Sequence, residues 1–192
     1  MKKLLSLFLL LSCLLGTVSA EDGSRLWLRQ STDAHAQITA PRQSPTLNIA
    51  VRELKQAWKG LPVTLVLKKD KQLSSEGFRI RQVNGKLTVT SPSETGLLYA
   101  AYHLIRLQEM RNFGKPSETD QEITENPAYD LRILNHWDNL DRSIERGYAG
   151  KSLWNWEELP GTLSDRYEAY ARANASICLL YTSPSPRDVE ES

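Results

Sequence analysis

Cysteine is nearly absent from this chain of 192 residues, which contains only Cys13 and Cys178. Cys13 lies in an N-terminal segment that we expect to be removed, and Cys178 lies where the composition changes abruptly near the other end. The mature native part is therefore expected to lack cysteine. That excludes a disulfide framework, thiolate metal ligation and thiol chemistry, and no metal or other cofactor is predicted.

An excess of charge of one sign is also missing. The chain has 24 Lys and Arg residues against 23 Asp and Glu residues, and the two signs are interspersed. A nucleic-acid or anionic-membrane surface needs a basic patch or stripe, so neither partner is predicted.

Long apolar runs are restricted to Leu4 to Leu15, which follows Lys2 and Lys3 and precedes Val18-Ser19-Ala20. This order is typical of a secretory signal, with cleavage expected after Ala20, and it predicts a secreted or periplasmic protein. The run is shorter than the about 20 residues that a membrane-spanning helix needs. The alternative is a lipoprotein signal in which Cys13 is acylated.

The last residues, 178–192, differ in composition from the helix-like residues before them. The stretch from Cys178 to Asp188 resembles the translation of a transposase-type sequencing adapter, so Ile177 is expected to be the last native residue. The alternative is a Pro/Ser-rich linker or disordered tail. The remaining length suits one small domain and the start of another.

The first domain, residues 21–127, is predicted to be a two-layer α/β sandwich. Ser44-Pro45 begins a helix that runs to about Lys59, and Asn84-Gly85 marks a β-hairpin turn. Ser91 and Glu94 have capping-box spacing before a second helix that runs to Met110. The other elements are an edge strand, a β-rich strand and a connection to the next domain, at Arg25–Arg29, Val63–Leu67 and Asn112–Pro127.

Few side chains in this domain suggest chemistry. His35 and His103 are isolated, so surface or boundary positions are favoured over a ligand or base role. Trp27 and Trp58 are expected to pack in the core or between domains rather than bind sugar.

The second domain is predicted to begin with a strand at Leu131 to Leu134, followed by a long loop and a helix from Ser164 to about Ile177. Between Arg132 and Trp156 the chain is dense in indole, carboxylate, amide and guanidinium groups. Sugars present apolar faces that stack on indoles and hydroxyl rims that need several donors and acceptors. The segment is therefore predicted to bind carbohydrate.

Three short stretches resemble the start of the catalytic barrel of the glycoside hydrolase family 67 α-glucuronidases: His136-Trp-Asp-Asn-Leu-Asp141, Ile144-Glu-Arg-Gly-Tyr-Ala-Gly150 and Ser152-Leu-Trp154. The resemblance implies that residues 128–177 begin a (β/α)8 barrel, which alone takes roughly 250 residues. It also implies an inverting exo-enzyme that removes α-1,2-linked (4-O-methyl)glucuronic acid from xylo-oligosaccharides. Whether the full-length enzyme is a homodimer stays open.

Asp138, Asp141 and Glu145 are the candidate carboxylates of the loop. We expect them to cap turns and accept hydrogen bonds from Arg142, Arg146 or sugar hydroxyls. The family resemblance implies that the catalytic acid and base lie later in the barrel, so no catalytic residue is predicted here. The predicted substrate-binding residues are Trp137, Asp138, Asn139, Glu145, Arg146 and Trp154. Trp154 and Trp156 have an equally weighted alternative, that they only pack the loop against the barrel.

Three functions remain open at this point. The encoded protein is an α-glucuronidase of which this chain is an N-terminal part, or a non-catalytic carbohydrate-binding protein. Alternatively, the chain as written is an incomplete product that is inactive because the catalytic carboxylates are missing.

Overall fold

A computed structural model describes residues 36–111, 120–148, 150–159, 161–179 and 181–186. The signal segment, Cys13, the strand predicted at Arg25–Arg29, Trp27 and His35 lie outside these residues. Among the helices in the described ranges, none is long and apolar enough to cross a membrane.

The first part of the chain forms a mixed five-stranded sheet. In chain order its strands are β1 (Ile38–Thr39), β2 (Val63–Leu67), β3 (Phe78–Val83), β4 (Lys86–Ser91) and β5 (Gln121–Glu125). They lie in the order β1-β2-β4-β3-β5, with β1-β2 and β2-β4 parallel and the other two pairs antiparallel. Alternate residues of β2, β3 and β4 are buried, so one face of the sheet carries the core. The predicted α/β architecture is confirmed.

Helix α1 (Pro45–Ala57) begins as the sequence predicts. Ser44 is the N-cap, its hydroxyl accepts a hydrogen bond from the Leu47 amide, and Pro45 occupies the first helical position. The helix ends two residues earlier than predicted, because Trp58 adopts an extended backbone. The Trp58 side chain is fully buried and donates to the Leu61 carbonyl at 2.8 Å, which confirms the predicted packing role.

The predicted hairpin joins β3 and β4. Asn84 and Gly85 both have positive φ, 49° and 72°, as a tight type I′ turn requires. The inward-facing residues of β3 are Phe78, Ile80 and Gln82: the Gln82 side chain is 2% exposed, whereas Val83 is 37% exposed. Strand alternation forces this choice once Phe78 and Ile80 are buried.

Helix α2 (Glu94–Arg111) has a different cap from the one predicted. The hydroxyl of Ser93 accepts from the Gly96 amide at 3.1 Å. Ser91 is the last residue of β4, and its hydroxyl donates to the Gly77 carbonyl at 2.7 Å, so it is engaged elsewhere. His103 lies at the edge of this helix's buried face, 5.3 Å from the ring of Phe78, in agreement with its predicted boundary position.

Strand β5 lies within the segment predicted to be only a connection. It pairs antiparallel with β3, and the Ile123 side chain packs against the core. With one apolar residue in five, the segment carries too weak a pattern to indicate a strand, and the free edge of β3 determines its pairing.

The second part of the chain is a β-α-β arrangement of β6 (Ile133–Asp138), α3 (Asp165–Ser176) and β7 (Tyr181–Pro186). Ser164 caps α3 as predicted. Strand β6 extends four residues beyond the predicted Leu134, because β7 pairs with it in parallel as far as Asp138. The suspected adapter-derived residues 181–186 thus form a strand, and their origin stays a prediction.

Helix α3 packs against α2, and ion pairs join the two parts. The Arg172 guanidinium donates hydrogen bonds of 2.6 to 3.1 Å to the carboxylate of Glu53 on α1. Arg132 pairs with Glu76, and Arg106 of α2 donates to the Ser176 carbonyl at 2.9 Å. These contacts hold α3 and the start of β6 against the first part of the chain.

Candidate functional site

The end of strand β6 carries a chain of polar contacts around Asp138, which is 8% exposed. One of its carboxylate oxygens, Oδ2, accepts from the Ser152 hydroxyl at 2.9 Å and lies 3.9 Å from Nδ1 of His136. Nε2 of His136 shares a hydrogen bond with the Tyr170 hydroxyl, and the Ser152 hydroxyl accepts from the Trp154 amide. Asp138 therefore joins β6 to the loop, and His136 joins β6 to α3.

The loop after β6 folds back on itself around Asn139. The side-chain amide of Asn139 donates to the Ser143 hydroxyl at 2.9 Å and to the Glu145 carbonyl at 2.5 Å. The Glu145 amide donates to the Trp137 carbonyl at 2.8 Å, which holds these two residues together. Arg142 and Glu145 both have positive φ, 69° and 52°, an uncommon backbone state for residues other than glycine. The loop is therefore strongly constrained.

Asp141 caps a turn in this loop. Its Oδ1 accepts from the amide and the hydroxyl of Ser143, at 2.9 and 2.6 Å. The hydroxyl bond first, then the amide bond, holds the pKa of the Asp141 carboxyl below its ordinary value. Asp141 thus has the turn-capping geometry that the sequence predicts, and the donor is Ser143 rather than a neighbouring arginine.

Trp154 packs against helix α3. Its indole stacks on the Tyr167 ring with the centroids 5.4 Å apart, and it meets Tyr170 and His136 edge to face. This is the packing role that the sequence leaves open as the alternative for Trp154. Burial, more than the nearby Asp138 charge, raises the pKa of the Tyr170 phenol.

The predicted binding residues therefore divide into two groups. Trp137 is 59% exposed, Arg146 is exposed and Glu145 is partly exposed, so their side chains are accessible to a ligand. Asp138 is buried and both amide hydrogens of Asn139 are engaged within the loop. Their predicted contacts with sugar hydroxyls stay predictions.

Sequence reasoning missed the roles of Ser152 and Tyr170. Ser152 lies 14 residues from Asp138, and Tyr170 lies 34 residues from His136, so no local spacing indicates these pairs. The available signal is the short Ser152-Leu153-Trp154 stretch, in which a small hydroxyl residue precedes the packed indole.

A cavity of about 450 Å³ lies between the two parts of the chain. Trp154, Tyr167 and Tyr170 line one side, and Thr46, Thr95 and Tyr99 line the other. Within the described ranges, no three His, Cys, Asp or Glu side chains are grouped so that they could hold a metal ion.

Residues 113–182 match the model of the glycosyl hydrolase family 67 middle domain. The chain is 31% identical over 209 residues to alpha-glucuronidase A of Aspergillus tubingensis, with 88% of this chain and 24% of that protein covered. It is 31% identical over 214 residues to a probable alpha-glucuronidase A of Aspergillus niger, with 90% and 24% covered. The chain thus spans about a quarter of the length of these curated relatives.

Two solved structures are similar in part. A family GH115 4-O-methyl-α-glucuronidase with specificity for decorated arabinogalactans matches with a TM-score of 0.49 and 11% identity, over 80% of this chain and 25% of that one. A β-N-acetylhexosaminidase from Bacteroides fragilis matches with a TM-score of 0.40 and 20% identity, over 61% and 25%. Both TM-scores lie below 0.5, so neither likeness bears on fold or function.

The proteins that this chain resembles in sequence are glycoside hydrolases. Within that class, the predicted resemblance to the family 67 α-glucuronidases is confirmed by the middle-domain match and by the relatives named alpha-glucuronidase A.

Proposed function

We propose that this chain is the N-terminal part of a secreted α-glucuronidase. The whole enzyme removes α-1,2-linked (4-O-methyl)glucuronic acid from xylo-oligosaccharides with inversion. Its domains are an α/β module at residues 21–127 and the start of a (β/α)8 barrel at residues 128–177.

The observation that carries this proposal is the constrained loop at the carboxyl end of β6. Barrel enzymes build their active sites from the loops at that end of their strands. Here the end of β6 carries exposed Trp137 and buried Asp138, and the loop after it carries exposed Arg146. The family match spans the same loop. In this proposal Trp137 stacks on a sugar face, while Glu145 and Arg146 bind polar groups of the substrate.

The two aspartates near the start of this loop, Asp138 and Asp141, serve its structure. An inverting glycosidase needs an acid and a base about 6.5–9.5 Å apart with a water between them. Asp138 accepts from Ser152, and Asp141 accepts from Ser143, so each is engaged in holding the loop. The proposal therefore assigns the acid and base to barrel segments beyond this chain.

The engagement of both aspartates also favours a second function for the chain taken alone, a non-catalytic carbohydrate-binding protein. In that case the chain binds an aldouronic acid and releases no product. An inactive incomplete product neither binds nor releases.

Two measurements separate these functions. For the first, the gene is resequenced with long reads through the codon for Ile177, and the longer protein that it encodes is produced. Release of 4-O-methylglucuronic acid from aldouronic acids is then measured for this chain and for the longer protein. Release by the longer protein alone, with the β-anomer formed first, is the expected result; no release by a longer protein that folds would refute the enzyme proposal.

The second measurement is calorimetric titration of this chain with an aldouronic acid. Trp137→Ala is expected to weaken binding roughly tenfold, since an aromatic contact contributes about 1 kcal/mol or more. Leu140→Ala is the matched control, because Leu140 is exposed in the same loop and has no predicted role. Equal affinities of the two variants would contradict the role of Trp137.

A further inference from the structure

The cavity between the module and α3 is built by elements outside the loop that carries the predicted substrate contacts, except for Trp154. Its volume of about 450 Å³ falls within the roughly 300–1,000 Å³ range of small-molecule sites. Tyr167, Tyr170 and Trp154 give it an aromatic wall on the α3 side. Such a wall suits a ligand with apolar C–H faces.

Polar groups from the module face this wall. Thr46 and Thr95 lie in the first turns of α1 and α2, and both line the cavity. Asn174 lines it from α3. The indole N–H of Trp154 is buried, and the described residues offer it no hydrogen-bond acceptor. The cavity thus combines aromatic rings with the hydroxyl and amide groups of short side chains, which can donate and accept hydrogen bonds.

The charge of the cavity selects against an anion. Glu76 is the lining carboxylate, and it pairs with Arg132 at the edge of the cavity. Among the described residues that line the cavity there is no lysine or arginine. An anionic sugar would find no unpaired cation among the described lining residues, because Arg132 is already paired with Glu76, whereas a neutral polyol would meet acceptors and donors.

Both walls are held in place without the ligand. Arg172 joins α3 to Glu53 of α1, and Arg106 joins the end of α3 to α2. A site with fixed walls loses little free energy to reordering when it binds.

We propose that this interdomain cavity binds a neutral pyranose, such as an unsubstituted xylose unit, as a second carbohydrate site apart from the loop after β6. The proposal does not rest on glucuronidase activity, because it concerns binding of an uncharged sugar by residues of the module and α3.

The test is a ¹H–¹⁵N NMR titration of the full chain with xylobiose, and in parallel with D-glucuronate. We expect saturable shifts at Thr95, Ala175 and the Trp154 indole, at lower concentrations of xylobiose than of glucuronate. Ala175→Phe, which places a ring in the cavity, should abolish them. Arg166→Phe is the matched control, because it adds the same ring to an exposed residue of α3 that does not line the cavity.

A milder variant covers the case in which Ala175→Phe fails to fold. Thr95→Val removes one lining hydroxyl and should weaken xylobiose binding about 2- to 10-fold, the effect of one hydrogen bond. Unchanged affinity in a folded Thr95→Val or Ala175→Phe variant overturns the proposal. Shifts confined to Trp137 and its neighbours, or no saturable shift at all, overturn it as well.

Discussion

Removing the Arg172 side chain should destabilise the whole chain much more than removing a surface ion pair. Glu53 is 1% exposed, and Arg172 supplies hydrogen bonds from Nε and Nη2 to its carboxylate. Arg172→Ala leaves that charge buried. The nearest remaining cation is Arg52, whose Nη2 lies 3.7 Å from the carboxylate.

Breaking a buried ion pair by removing one partner costs about 3–5 kcal/mol, because the other charge stays desolvated. Arg52 offsets part of this cost, so we expect a loss of about 3 kcal/mol in the free energy of unfolding. Glu168→Ala is the control, since its pair with Arg52 is exposed on both sides and is expected to contribute at most about 1 kcal/mol.

The assay is urea unfolding followed in parallel by tryptophan fluorescence and far-ultraviolet circular dichroism. If the two transitions of the unmodified chain coincide, its unfolding can be described by a single free energy of unfolding. Replacing both partners, Glu53→Leu with Arg172→Leu, should restore most of the stability because no charge is then left buried. If Arg172→Ala and Glu168→Ala shift the urea midpoint equally, Glu53 is not the desolvated carboxylate described above.

Three further predictions concern other parts of the chain. Gly96→Ala should cost about 1–3 kcal/mol, since the new Cβ would lie 2.2 Å from the Ser91 hydroxyl; urea unfolding measures it, and an unchanged midpoint would contradict the close packing. Burial raises the pKa of the Tyr102 phenol from 10.0 to about 12. The contribution of the neutral phenol to the free energy of unfolding is therefore complete below pH 10 and is lost as the pH rises through 12. That amounts to roughly 3 kcal/mol, and Tyr102→Phe should remove this alkaline loss. Ser152→Ala should speed amide hydrogen exchange in the loop by leaving Asp138 with one donor fewer, whereas exchange in the five-stranded sheet should not change.

Where local physics decides, the sequence predicts the fold correctly. Ser44-Pro45 can cap and begin a helix by itself, and Asn84-Gly85 tolerates the positive φ that a tight hairpin needs. The cap of α2 shows the limit of this reasoning. Ser91 and Ser93 are chemically equivalent candidates, and the Gly77 carbonyl, 14 residues away from Ser91, decides between them.

Long-range pairing sets the remaining features. Strand β5 forms on the edge of β3 with little apolar content, and β6 continues to Asp138 because β7 lies beside it. For the same reason the sequence predicts which residue types the candidate site contains, but not which of them are in contact. Aromatic and polar residues mark the loop in the sequence, but only the fold brings Ser152 and Tyr170 to Asp138 and His136.

The pairing of Glu53 with Arg172 also orders events during synthesis. The two residues are 119 positions apart, so at about 5–20 residues per second the ribosome makes Arg172 roughly 6–24 s after Glu53. In the part of that interval that follows the synthesis of β5, the module has the Glu53 carboxylate and the α2 surface in place, and neither has its partner. The module therefore acts as a preformed template on which α3 docks as it emerges, and its last step of burial waits for the next domain to begin.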